Sequence, residues 1–118
     1  MGPLQGGVAA ALLAAACAAQ ACDVPGDGTS LRRALLKVKY LPETELWELA
    51  ARKTAAVQYV LSLDAPIERE GRCYWPIEAR SGDQLWNTFY ATPRGEHILV
   101  ARPGGALIAL EAWRERAR

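Results

Sequence analysis

Few residues in this chain have the chemistry of a catalyst. The single histidine, His97, and the three cysteines, Cys17, Cys22 and Cys73, are the places to begin. A Cys73–His97 pair would make a nucleophile only if the thiol were free and the imidazole lay within hydrogen-bond reach. His97 has no carboxylate or cysteine beside it in sequence, so a surface or turn histidine is expected. One histidine and two distant cysteines match no ligand spacing, and no metal site is expected. Glu43 and Glu45 fit the acid-favouring start of a helix, and Glu68 and Glu70 fit a solvated loop, better than paired acid–base work. Gly104-Gly105 opens no helix that could cradle a phosphate. The chain is therefore expected to be no enzyme and to need no cofactor.

Aromatic residues give the one positive signal. If strict alternation holds along adjacent strands, Tyr74, Trp86 and Tyr90 share a face opposite Trp75, Ile77 and Phe89. Such a face is an amphipathic platform suited to a sugar, a peptide or a partner protein. The competing and more economical use of large aromatics in a small domain is to fill the core or a homodimer contact.

Charge narrows the partners further. The 14 basic and 13 acidic residues leave a net charge of +1, and no cluster forms a basic face, which argues against a nucleic-acid partner. Arg32-Arg33, Lys37-Lys39 and Arg114-Arg116-Arg118 are interleaved with apolar or acidic residues and read as solvated helix faces.

All of these charges lie after Cys22. Residues 1–21 are rich in alanine, leucine and glycine, and their apolar run is too short for a spanning helix but suits a secretory signal. Ala19-Gln20-Ala21 fits the small-x-small rule, and a cut before Cys22 would leave Cys22 and Cys73 as an even pair, hence a disulfide, in an oxidising compartment. The alternative takes Leu13-Ala14-Ala15-Ala16-Cys17 as a loose lipoprotein signal with Cys17 acylated. On either reading residues 22–30 form a turn-rich tether and residues 31–118 a single domain.

The elements that must hold these residues follow from periodicity. Ser30 is placed to cap a helix with Leu31, Ala34, Leu35 and Val38 on one face. Pro42 starts a second helix, to about Lys53, whose apolar stripe is expected to be Leu46, Leu49, Ala50 and Trp47. Val57, Tyr59, Leu61 and Leu63 alternate as a strand, and a polar loop over residues 67–71 leads to a three-stranded meander over residues 71–102. That meander turns at Ser81-Gly82-Asp83 and Thr92-Pro93-Arg94-Gly95, with Pro76 requiring an edge or a bulge. Pro103-Gly104-Gly105 turns into a short fifth strand from Leu107, followed by a terminal helical turn carrying Trp113. The expected class is α+β, with one or two N-terminal helices packed on a four- to five-stranded antiparallel β-meander.

The run Tyr74-Trp75-Pro76-Ile77-Glu78, then Leu85-Trp86-Asn87-Thr88-Phe89-Tyr90-Ala91-Thr92, Gly95 and Ile98-Leu99-Val100, following a helix and a strand, resembles the layout of PepSY-like periplasmic domains. The resemblance implies a small non-enzymatic envelope module that binds or restrains a peptidase or another partner. The functional expectation is thus an exported bacterial envelope protein acting as a binding or inhibitory module. An immunity protein against a secreted toxin, or a small envelope enzyme using Cys73 and His97, stands as the alternative. Its partner would be another envelope protein or a second copy, its place the periplasm, and its only membrane contact a lipid on Cys17.

Overall fold

The computed structural model describes Cys22, residues 28–63 and residues 65–116. Helix α1 spans Thr29–Lys39 and α2 spans Pro42–Ala51. Strands β1 (Val57–Leu61), β2 (Ile67–Arg69), β3 (Arg72–Ser81), β4 (Gln84–Ala91), β5 (Ile98–Ala101) and β6 (Leu107–Ala109) follow, and α3 (Leu110–Arg116) closes the order. The class is α+β, as the periodicity predicts. The sheet has six strands, more than the four or five expected, and the expected terminal helical turn carrying Trp113 is the helix α3.

All the described pairings are antiparallel. The order is β1-β3-β4-β5-β6, with β2 also paired to β3. The stretch expected to be a polar loop is instead the β2–β3 hairpin, in which Ile67, Glu68 and Arg69 face Tyr74, Cys73 and Arg72. Glu70 and Gly71 both take positive φ, 51° and 79°, so a two-residue turn of the primed type closes it.

β3 is the spine of the sheet, flanked by β1 and β2 on one side and β4 on the other. From Leu61 to Ile67 the β1–β2 side advances six residues while β3, between their partners Ile77 and Tyr74, moves only three, so that border is broken. Pro76 sits at the break. Its carbonyl accepts the Ser62 N–H at 3.1 Å. A strand residue points its N and C=O to the same side, so the missing Pro76 donor falls where the ladder is interrupted.

The core lies between one sheet face and the helices. Ala34 and Val38 of α1 and Ile77, Ala79, Phe89, Ala91 and Val100 of the sheet are fully buried, with Leu41, Trp75 and Leu110 beside them. Each such large aliphatic or aromatic side chain contributes roughly 1.5–3 kcal/mol when withdrawn from water. Ser30 does not cap α1. Gly28 occupies the N-cap with no side-chain cap bond, and the Ser30 Oγ instead accepts the Trp75 indole N–H at 3.3 Å, tying α1 to β3. Leu41 precedes Pro42 in extended conformation, the break and restart that proline demands.

Candidate functional site

Cys73 is the second residue of the spine strand, and its sulfur is bonded to Cys22, with the two Cα atoms 5.4 Å apart. The expected pairing is present. His97 does come into its neighbourhood: both residues line a cavity of about 330 Å³ beside the β4–β5 turn. The turn is rigidly built. Thr92 is buried, its N–H donates to the His97 carbonyl at 3.0 Å, and its Oγ1 accepts the His97 N–H at 3.1 Å. The backbone of His97 is therefore fixed while the residue itself is exposed. With the Cys73 sulfur held in the disulfide, the pair lacks the thiolate that nucleophilic chemistry requires. Cys17, expected as the alternative lipid site, lies outside the described residues, as does the rest of the expected leader, residues 1–21.

Tyr74, Trp86 and Tyr90 do not form one exposed platform. β3 and β4 stay in register from Trp75↔Ala91 to Ala79↔Asn87, then jump to Arg80↔Leu85, leaving Trp86 as an extra residue. This β-bulge places Trp86 and Asn87 in succession opposite one β3 residue and turns Trp86 to the helix side. There its indole stacks on Trp47 of α2 at 4.6 Å and 6°, and meets Trp113 of α3 edge-on at 6.1 Å. Phe89 packs against Trp113 at 88°, and Tyr59 against Trp47 at 80°, completing a five-ring cluster that joins α2, α3, β1 and β4. Offset and edge-to-face pairs of this kind add to the area they bury. Alternation does leave Tyr74 and Tyr90 on the opposite side, but Tyr74 is 3% exposed and presents no ring to solvent.

Helix α2 departs most from its expected orientation. Its inward face is buried Thr44 with half-buried Trp47, Glu48 and Ala51, of which Trp47 alone belongs to the expected stripe, while Leu46 and Leu49 are each 70% exposed. Both sets recur at helical spacing. Three side-chain ties select the first. Trp47 enters the aromatic cluster, Glu48 Oε1 accepts the Tyr59 hydroxyl at 2.9 Å, and Glu43 takes a two-pronged hydrogen bond from Arg114 of α3 at 2.6 and 3.1 Å. Burial alone would raise the Glu43 carboxyl, but the Arg114 hydrogen bonds, its own backbone N–H and the guanidinium charge outweigh that, so its pKa is lowered. For Tyr59, burial first and then the Glu48 carboxylate raise the hydroxyl well above its ordinary value. These groups are structural fasteners. Thr44 Oγ1, fully buried, has no partner among the described residues.

Helix α1 carries an outward face that charge pattern alone assigns to solvent. Arg33, Leu36, Lys37 and Tyr40 follow one another at helical spacing, and with Leu41 and Arg94 they line a cavity of about 480 Å³. The spacing was visible in the sequence. What could not be seen is Arg94, brought against α1 by Gly95, where a Cβ would run into the Lys37 side chain. Among the described residues no group of histidine, cysteine and acidic side chains is placed to hold a metal ion, and no helix is long and apolar enough to cross a membrane. No protein-family model matches the chain, and comparison with curated proteins and with solved structures likewise finds no match.

Proposed function

We propose that this chain is an exported protein of the bacterial envelope that acts as a non-catalytic binding or inhibitory module. The observation that carries the reading is the leucine pair of α2. Leu46 and Leu49 sit one turn apart at 70% exposure on a helix that is firmly docked by its opposite face. Single exposed leucines need no explanation, but two on one face of a well-anchored helix mark a surface built to be covered. The partner is another envelope protein. An immunity protein against a secreted toxin belongs to the same class and would use the same face.

The Cys22–Cys73 disulfide supports export, since such bonds persist in oxidising compartments such as the periplasm. The charge-free leader of residues 1–21 supports the same route, ending either in a cut before Cys22 or in acylation of Cys17. The PepSY-like order of helix, strand and meander points to the same kind of module.

Affinity capture from envelope extract tests the reading, with the wild-type chain and a Leu46→Ser/Leu49→Ser variant as parallel baits. A protein retained by the first and lost by the second is the expected result. Equal recovery by both baits, or recovery of nothing by either, would count against it. Mass spectrometry of the mature N-terminus decides between the two leader fates.

A further inference from the structure

Three cavities adjoin one another around the β4–β5 turn. The largest, about 480 Å³, lies along α1 and is lined by Arg33, Lys37 and Arg94 together with Leu36, Tyr40 and Leu41. A second, of about 330 Å³, shares Lys37 and Leu41 with it and adds Arg72. The third, also about 330 Å³, shares Arg94 with the first and Arg72 with the second. Four cations, Arg33, Lys37, Arg72 and Arg94, thus line three neighbouring cavities joined by shared residues, a groove along α1 and the β4–β5 turn, on a chain whose net charge is only +1. Arg52, Arg80 and Arg114 each pair with a glutamate. Among the described residues, none of the four groove cations pairs with an acid.

We infer that this groove receives an acidic, amphipathic peptide segment of a partner protein. The inference rests on the reading of the chain as a binding module and names the chemistry of what it binds. The charge is complementary to glutamate and aspartate side chains, and arginine's planar fork suits carboxylates in two-pronged geometry. The apolar part is equally specific: Leu36 is 45% and Tyr40 62% exposed, so a segment lying along α1 would find apolar contact between the cations Arg33 and Lys37. A membrane surface fits less well. The groove is concave, and Glu96 and Glu111 in its wall would repel a uniformly anionic headgroup layer, whereas a peptide can place apolar or neutral residues there. The groove is also preformed. The Thr92–His97 turn is closed by its own hydrogen bonds, and Gly95 lets it rest on Lys37, so little ordering cost falls on the protein when a ligand enters.

Fluorescence anisotropy with the purified chain and a labelled peptide alternating glutamate and leucine tests this directly. Saturable binding that weakens with added salt is expected for that peptide, and none for its lysine–leucine counterpart. An Arg33→Glu/Arg94→Glu variant should lose affinity on the order of tenfold or more, as reversal of charges at an interface does. Lys53→Glu, an exposed charge on another part of the surface, should bind as wild type, and unchanged circular dichroism in all variants separates lost binding from lost fold. Equal binding by the Arg33→Glu/Arg94→Glu variant overturns the inference. So does sedimentation of the chain with phosphatidylglycerol vesicles in the absence of any peptide binding. Peptide binding without capture of an envelope protein would uphold the groove and sink the functional reading. Capture that persists in the Arg33→Glu/Arg94→Glu variant, with no peptide binding, would do the reverse.

Discussion

Trp86 shows how much one unpaired backbone position can decide. Strict alternation from Phe89 sends it away from the helices, and the single extra residue between Asn87 and Leu85 brings it back to stack on Trp47. Trp86→Ala should therefore cost about 3 kcal/mol, within the range for removing a large aromatic from a packed site. Tyr90→Ala, on the other face, should cost about 1 kcal/mol, near the average for a point substitution. Urea denaturation with unchanged m-values measures both, and similar costs for the two would contradict the bulge. The sequence could show that Trp86 belongs to a strand but not its side, because a bulge has no side-chain signature that alternation can reveal. Glu43 makes a second residue-scale prediction. Its folded pKa lies below its unfolded one, so the Arg114 pair adds stability above the ordinary carboxylate range and loses it as pH falls through the lowered value. Both side chains are about a third exposed, at 29% and 34%, which limits the effect to about 1 kcal/mol or less. Glu43→Gln should accordingly unfold at lower urea than wild type at neutral pH and match it in strong acid.

Helix α2 carries two helical stripes, and only partners distant in sequence tell them apart. Its boundaries were readable, since Leu41-Pro42 fixes the start and the acids of the first turn agree with it. The leucine stripe looked like the buried one on hydrophobicity alone. Trp86, Tyr59 and Arg114, all outside the helix, select Trp47, a member of the expected stripe, together with Glu48 and Glu43 in place of the leucines. The same docking buries the Thr44 hydroxyl with no partner among the described residues, a burden of about 1–3 kcal/mol for a desolvated polar group. Thr44→Val keeps the shape and removes the hydroxyl, so it should raise the denaturation midpoint by the equivalent of about 1 kcal/mol. A fall in the midpoint would mean that the hydroxyl has a partner after all. Leu46→Ser and Leu49→Ser should each change stability by about 0.5 kcal/mol or less, as surface substitutions do, which is what makes them usable as binding variants.

At the scale of the whole molecule the antiparallel sheet and its disulfide were the most legible features, because turns and cysteine parity are local or countable. The Ser81-Gly82-Asp83 and Pro103-Gly104-Gly105 turns lie where expected, with Gly82, Gly104 and Gly105 all at positive φ. The β2–β3 hairpin was missed because its Glu70-Gly71 turn places a non-glycine residue at positive φ. Cys22–Cys73 closes a loop spanning 51 positions and fastens the start of the spine strand to the segment preceding α1. The Ser30–Trp75 hydrogen bond adds a second tie, from α1 itself to the same strand. On the chain-entropy account, a loop of that length destabilises the unfolded state by about 4 kcal/mol, a large share of the roughly 5–15 kcal/mol typical of a domain. Cys22→Ser/Cys73→Ser should then remain folded, because the core and aromatic cluster do not depend on the bond, but with a urea midpoint far below that of the oxidised wild type. Reduced wild type should coincide with the variant, since both lack the same cross-link. If reductant left the wild-type midpoint unchanged while the double variant unfolded early, the loss would lie in the serine substitutions and not in the closed loop.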